Sequence, residues 1–160
     1  MKRLLFVCMG NICRSPAAEC VMRQVLAENG ADGRFQCDSA GTRGYHVGNP
    51  PDPRMRSAGR RRGIVIDGSA RQVNADDLEA FDLVLAMDPD NLRDLRQLDP
   101  SGRHHHKLRL MVDFLTGHEA GEVPDPYYGG DDGFEQVLDL LEDSCRGLLD
   151  QLENGGDSPA

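Results

Sequence analysis

The sequence has no tryptophan, only two lysines and no long apolar run. None of its hydrophobic stretches approaches the roughly 20 residues that a membrane span requires. The apolar stretch 4–9 follows a charged start, but it is too short for the core of a signal peptide and leads directly into Gly10-Asn11. We therefore expect no membrane segment, no export and a cytoplasmic location.

The chain is also poor in cysteine pairs. Five cysteines are spread along it without any C-x-x-C spacing, at Cys8, Cys13, Cys20, Cys37 and Cys145. An odd and scattered set is a poor disulfide framework, and the missing pairs argue against a zinc ribbon. These cysteines fit a reducing compartment, and we expect no metal and no organic cofactor.

The chain has fewer cationic than acidic residues, with 18 Lys and Arg against 27 Asp and Glu and a formal charge of -9. Such a chain is unsuited to general nucleic-acid binding, which needs a positive surface. An anionic ligand therefore requires a local positive site. All cations except Lys2 and Lys107 are arginines, which can hold two phosphate oxygens at once.

Short apolar runs alternate with helical patterns along the chain. Strands are predicted at 3–8, 35–40, 81–87 and 108–114, and helices at 15–29, 53–62, from 88 and at 134–152. Ser15 is the predicted N-cap of the first helix. The alternation predicts an α/β fold: a single three-layer α/β/α domain over residues 1–153, with an open four-stranded parallel sheet and helices on both faces. Residues 154–160 are predicted to form a disordered tail.

Chemistry is expected in the loop between the first strand and the first helix, because ligands of parallel sheets bind at the carboxyl ends of strands. We call residues Cys8–Ser15 the cysteine loop. Its backbone N–H groups and the helix N-terminus form an anion cradle, and Arg14 can hold a phosphate. These groups also favour the Cys8 thiolate, a nucleophile. Gly10 permits the bend, and the Ser15 hydroxyl can stabilise the thiolate.

Cys-x5-Arg spacing alone is weak evidence, since Cys37 and Arg43 have the same spacing. Their context differs. Arg14 is followed by Ser-Pro and an amphipathic pattern, whereas Arg43 is followed by Gly-Tyr-His-Val-Gly. Cys37 lies within a predicted strand and is interpreted as a core residue.

Three segments together resemble a low-molecular-weight protein tyrosine phosphatase: CMGNICRS in the cysteine loop, DSAGT at 38–42 and DPYY at 125–128. Shorter matches at 48–52, 70–72 and 91–95 extend the resemblance over about residues 3–150. The resemblance implies hydrolysis of phosphotyrosine through a phosphocysteine intermediate, with phosphotyrosine proteins as partners. We expect a monomer, with weak self-association left open.

The resemblance also assigns individual residues. Asp125, held between two prolines, is expected to be the general acid and base. Asn11 and Ser39 are expected to brace the cysteine loop. Substrate contacts are expected from the loop and from all three tyrosines: Met9, Gly10, Asn11, Ile12, Cys13, Ser15, Tyr45, Tyr127 and Tyr128. Cys13 is also expected to form a reversible disulfide with Cys8 on oxidation.

Alternative activities on the same loop stay open at this point. Protein arginine phosphatases resemble this loop but carry Thr where this chain has Ile12. Thioredoxin-coupled arsenate reductases need additional cysteines, and residues 82–100 contain none. Phosphocysteine carriers typically lack the arginine that ends the loop. This chain also has Gly68 where many relatives have a histidine that supports the loop.

Overall fold

A computed structural model describes residues 1–127 and 129–154. The strands are β1 (Lys2–Cys8), β2 (Phe35–Gly41), β3 (Leu83–Ala86) and β4 (Leu108–Leu110). The helices are α1 (Arg14–Glu28), α2 (Pro53–Arg60), α3 (Ala75–Ala80), α4 (Pro89–Gln97) and α5 (Asp131–Asn154). Short 3₁₀ turns occupy His105–Lys107 and Met111–Phe114.

The four strands form one parallel sheet in the order β2-β1-β3-β4. Side chains of β1 alternate between two cores. Leu4 and Phe6 join the cluster that α1 and α5 cover, whereas Leu5 and Val7 join a separate cluster with Leu78 of α3 and others. Both faces of β1 are thus buried, which explains its uninterrupted apolar sequence. The predicted fold class is confirmed.

Several element boundaries differ from the prediction. β4 ends at Leu110, because the chain turns into a 3₁₀ helix at Met111. α2 ends at Arg60, and Gly63 then adopts a positive φ of 75° that lets the chain leave the helix. α3 was not predicted, although its start carries a capping box formed by Asn74 and Asp77.

The first helix begins earlier than predicted. Its N-cap is Cys13, without a side-chain capping bond, and the prediction of Ser15 as N-cap is wrong. The physical reason is that the Ser15 hydroxyl points towards Cys8, Asn11 and the Ala40 carbonyl instead of the helix N–H groups. Ser15 therefore connects α1 to the cysteine loop.

At the other end of the chain, α5 continues to Asn154, one residue past the predicted domain boundary, and residues 155–160 lie outside the described part. Among the described helices, none is long and apolar enough to cross a bilayer.

The packing of α5 depends on a buried glycine. A Cβ atom at Gly147 would lie 1.9 Å from the Phe114 carbonyl oxygen, which is a backbone atom that cannot rotate away. The Gly147→Ala variant is therefore expected to lose at least about 3 kcal/mol of unfolding free energy, or roughly 6–12 °C in Tm. Thermal and urea unfolding would measure this loss.

Gly133, in the first turn of the same helix, supplies the matched control. A Cβ there meets its nearest atom, on Pro126, at 3.4 Å, an ordinary contact. Gly133→Ala should change stability by about 1 kcal/mol or less, since alanine is the better helix former. Equal effects of the two substitutions would show that the close approach at Gly147 does not govern the packing.

Candidate active site

The cysteine loop lies where β1 ends and α1 begins, at the carboxyl edge of the sheet. Its backbone is fastened to the segment after β2, because Thr42 N donates to the Cys8 carbonyl and Arg43 N donates to the Met9 carbonyl, each at 2.9 Å. Gly41 allows this approach, since a Cβ there would lie 2.7 Å from the Met9 carbonyl oxygen. The loop is thus held from behind by the neighbouring strand.

Cys8 lies at the floor of this loop, and the whole residue is only 2% exposed. Its Sγ receives a hydrogen bond from Asn11 N at 3.3 Å and lies 3.0 Å from Ser15 Oγ. The N-terminus of α1 begins six residues later, at Arg14. These N–H and O–H groups are the kind that stabilise a thiolate.

Asn11 is the internal brace of the loop. Its φ of 59° is the only positive value among the described residues other than glycine, and asparagine tolerates this conformation well. Its Nδ2 donates to Ser15 Oγ at 2.8 Å and to Ser39 Oγ at 3.0 Å, and its Oδ1 accepts from Arg71 N at 3.0 Å. The bracing contact between Asn11 and Ser39 is therefore present.

Arg14 is almost completely buried beside Cys8, at 2% exposure. Its Nη1 donates to Asp88 Oδ2 at 2.6 Å and to the Val123 carbonyl at 3.1 Å, and its Nη2 lies 3.6 Å from Asp125 Oδ2. Burial alone would lower the pKa of Arg14, but Cys8, Asp88 and Asp125 together outweigh it and raise that pKa. The guanidinium is consequently a fixed positive charge.

Asp125 reaches the same pocket from the segment before α5. Its side chain is 30% exposed, and its Oδ1 accepts from Tyr127 N at 3.0 Å. The segment is fixed by Val123 N, which donates to the Met87 carbonyl at 2.8 Å. One carboxylate oxygen thus faces Arg14 while the other is held by the backbone.

The pocket has a volume of about 100 Å³. Its lining consists of loop residues, Asp125 and three side chains at the rim: Cys8, Met9, Gly10, Ile12, Cys13, Arg14, Tyr45, His46, Asp125 and Tyr127. Of the three tyrosines expected to contact the substrate, Tyr45 and Tyr127 therefore border the pocket, and Tyr128 lies outside the described residues.

The rim is joined to the loop by a second set of bonds. Asp52 N donates to the Ile12 carbonyl at 2.8 Å, and the Asp52 carboxylate holds Arg54. Arg54 Nη2 donates to the Tyr127 carbonyl at 3.2 Å, and its guanidinium lies 5.4 Å from the Tyr127 ring centroid. Asp52 and Arg54 thus connect Tyr127 to Ile12.

The cysteines other than Cys8 lie in environments that favour the neutral thiol. Burial raises the pKa of Cys37 to about 12 and that of Cys20 to about 11, so both remain thiols at neutral pH. Burial, followed by the charges of Asp52 and Cys8, also raises the pKa of Cys13. The Cys37–Arg43 pair forms no loop, because Cys37 lies within β2. The Cys8–Cys13 disulfide stays a prediction.

Sequence reasoning missed four side chains at or near this site. Asp88 was expected only as the cap of α4, although it also holds Arg14. His46 borders the pocket, with its ring centroid 6.2 Å from that of Tyr127. Asp52 and Glu19 were likewise not assigned. Local patterns do not reveal their roles at the site, because the contacts that bring them there join residues far apart in the sequence.

Comparison with known proteins gives a consistent result. The family described as low molecular weight phosphotyrosine protein phosphatase matches residues 3–157. The Bacillus subtilis low molecular weight protein-tyrosine-phosphatase YfkJ is 43% identical over 154 residues, 96% of this chain and 97% of that protein. The human low molecular weight phosphotyrosine protein phosphatase is 39% identical over 153 residues, 94% of this chain and 95% of that protein.

A solved structure agrees at the level of the whole fold. The protein tyrosine phosphatase from Entamoeba histolytica, crystallised with Hepes in the active site, superposes with a TM-score of 0.94 at 48% sequence identity. The match covers 97% of this chain and 99% of that protein.

Proposed function

The chain belongs to the low molecular weight phosphotyrosine protein phosphatase family, and we propose that it hydrolyses protein phosphotyrosine through a phosphocysteine intermediate. The observation that carries this proposal is the convergence of the Cys8 thiol, the Arg14 guanidinium and the Asp125 carboxylate on one pocket. Members of the family are phosphoric monoester hydrolases, and these three groups supply a nucleophile, a clamp and an acid.

In the first step, Cys8 Sγ attacks phosphorus and a P–S bond forms as the bond to the tyrosine oxygen breaks. The loop N–H groups and Arg14 stabilise the charge on the three equatorial oxygens. Asp125 donates a proton to the departing tyrosine oxygen. Its exposure of 30% fits a group that must meet a substrate entering from solvent.

In the second step, water attacks the phosphocysteine and the P–S bond breaks. Asp125, now ionised, accepts a proton from this water, and phosphate and the Cys8 thiolate are released. Ser15 Oγ, 3.0 Å from the sulfur, stabilises the departing thiolate by donating its hydroxyl hydrogen. No step uses a metal or an organic cofactor, so activity should persist in EDTA.

Selectivity for phosphotyrosine rests on the dimensions of the pocket. A phosphoryl group at the floor beside Cys8 and Arg14 would place the substrate ring near the rim. Tyr45 and Tyr127 offer aromatic surfaces there for stacking. Phosphoserine is shorter than phosphotyrosine and would not reach the floor from the same rim.

Phosphopeptide hydrolysis at mildly acidic pH, with EDTA and reductant present, tests the proposal. Matched peptides would carry phosphotyrosine, phosphoserine or phosphoarginine at one position. Preferential phosphate release from the phosphotyrosine peptide is expected. Preference for phosphoarginine would assign the chain to the alternative activity instead, and lack of hydrolysis with any peptide would reject a hydrolase.

A further inference from the structure

A line of hydrogen bonds leads from Cys8 away from the pocket and ends at a buried carboxylate. Ser15 Oγ lies 3.0 Å from Cys8 Sγ, and Asn11 Nδ2 bridges Ser15 Oγ at 2.8 Å and Ser39 Oγ at 3.0 Å. Ser39 Oγ then donates to Glu19 Oε1 at 2.7 Å. Glu19 is 7% exposed and is not among the residues that line the pocket.

Two groups fix the direction of these hydrogen bonds: the Glu19 carboxylate and the Arg71 backbone N–H. An ionised carboxylate can only accept, so Ser39 must donate to Glu19 and its oxygen is left to accept from Asn11. A backbone N–H can only donate, so Asn11 must turn its Oδ1 towards Arg71 N, at 3.0 Å. Both groups demand the same orientation of the Asn11 amide.

This orientation determines the hydrogen bonding of Ser15. Because Asn11 Nδ2 donates to Ser15 Oγ, the single hydroxyl hydrogen of Ser15 remains available to other acceptors. The structure offers it two, the Cys8 sulfur at 3.0 Å and the Ala40 carbonyl at 3.3 Å. A thiolate is the stronger acceptor of the two, because it is charged.

We propose that Glu19 is a positioning residue: by accepting from Ser39 it fixes the Asn11 amide and keeps the Ser15 hydroxyl hydrogen available to Cys8. The proposal deepens the proposed function and rests on it for its catalytic readout. Within residues 1–127 and 129–154, the Ser39 hydroxyl has two side-chain partners, Glu19 and Asn11. Without the carboxylate, the Ser39 hydroxyl hydrogen loses the acceptor that fixes its direction.

Glu19 has a cationic partner despite its burial. Burial raises the pKa of Glu19, and the hydrogen bond from Ser39 and the charge of Arg23 offset this rise only in part. Arg23, one turn later on α1, forms an ion pair with Glu19 and is half-exposed. Arg23 pairs with Glu19 Oε2, which leaves Oε1 to accept from Ser39.

Glu19→Met tests the proposal, because methionine has a similar length and offers no carboxylate oxygen to accept from Ser39. We expect kcat for phosphotyrosine peptide to fall about tenfold at pH 7.5, the effect of one lost hydrogen bond, with KM changed less than twofold. Alkylation of Cys8 by iodoacetate should slow as well, since it requires the thiolate. In the Ser39→Ala background, Glu19→Met should cost less than twofold, because the connection is already broken.

Asp67→Asn is the matched control, since Asp67 borders the same small cavity as Glu19 but has no bond to the chain of donors. It should retain wild-type activity. Additive losses for Glu19→Met and Ser39→Ala, or a Glu19→Met enzyme that resembles the control, would overturn the proposal. An inactive wild type would instead reject the proposed function, and the alkylation rates would still test the positioning role.

Discussion

The Cys8→Ser variant is expected to lose about five orders of magnitude in kcat for phosphotyrosine, as when the nucleophile of a covalent enzyme is removed. A serine hydroxyl fits the same position, but its oxygen ionises far less readily than sulfur and cannot attack phosphorus at neutral pH. The anion cradle should survive, because Arg14 and the loop N–H groups do not depend on the sulfur. The variant should therefore still bind phosphate.

Two measurements on one protein preparation would separate these effects. Turnover of p-nitrophenyl phosphate gives the loss in kcat, and calorimetric titration with inorganic phosphate gives the retained affinity. Cys37→Ser is the control, since Cys37 has the same spacing to an arginine but packs against the core, and it should keep near-wild-type turnover. Substantial turnover by Cys8→Ser would exclude Cys8 as the nucleophile, and loss of phosphate binding would indicate a collapsed loop.

The fold and the centre of the site could be predicted because their signals are local. An apolar run such as residues 3–8 identifies a buried strand by itself, and the turn from Cys8 to Arg14 lies within seven consecutive residues. Asp125 was harder, because 27 acidic residues compete for the role of acid. Its position between two prolines draws attention to it, and the family resemblance was needed to choose it.

Other features depend on the folded chain. Asp88 and Arg14 are 74 residues apart, and their ion pair exists only because β1 and β3 are adjacent in the sheet. Ser15 followed the pattern of a helix N-cap, but a nearby sulfur and amide competed for its hydroxyl. Where two partners compete for one side chain, tertiary contacts decide, and sequence propensity gives the wrong answer.

The charges around the pocket also depend on contacts between distant parts of the chain. Arg14 is neighboured by two carboxylates, Asp88 and Asp125, in a chain whose formal charge is -9. Asp88 is bonded directly to Arg14 and offsets part of its positive charge. Anion binding must therefore depend heavily on the backbone N–H groups of the loop and the N-terminus of α1, whose partial charges are fixed in direction.

Asp125→Asn should separate the two proposed roles of this carboxylate. The amide can still accept from Tyr127 N, so the loop geometry should persist, but it can neither donate a proton to the tyrosine oxygen nor accept one from water. For phosphotyrosine, whose leaving group needs protonation, kcat/KM should fall by about 10²–10³-fold. For p-nitrophenyl phosphate, whose leaving group is already stable as an anion, the fall in kcat/KM should be about tenfold or less.

The second role predicts a different signature in kcat. Once the phosphocysteine has formed, its hydrolysis no longer depends on the substrate that produced it. With the base absent, this step should limit turnover of good substrates, so a rapid-quench experiment should show a burst of nitrophenol followed by a slow steady state. Asp132→Asn, an exposed acid at the start of α5, should behave as wild type. If Asp125→Asn slowed all substrates equally in kcat/KM, with no burst, Asp125 would be a structural residue and the acid would have to be sought elsewhere.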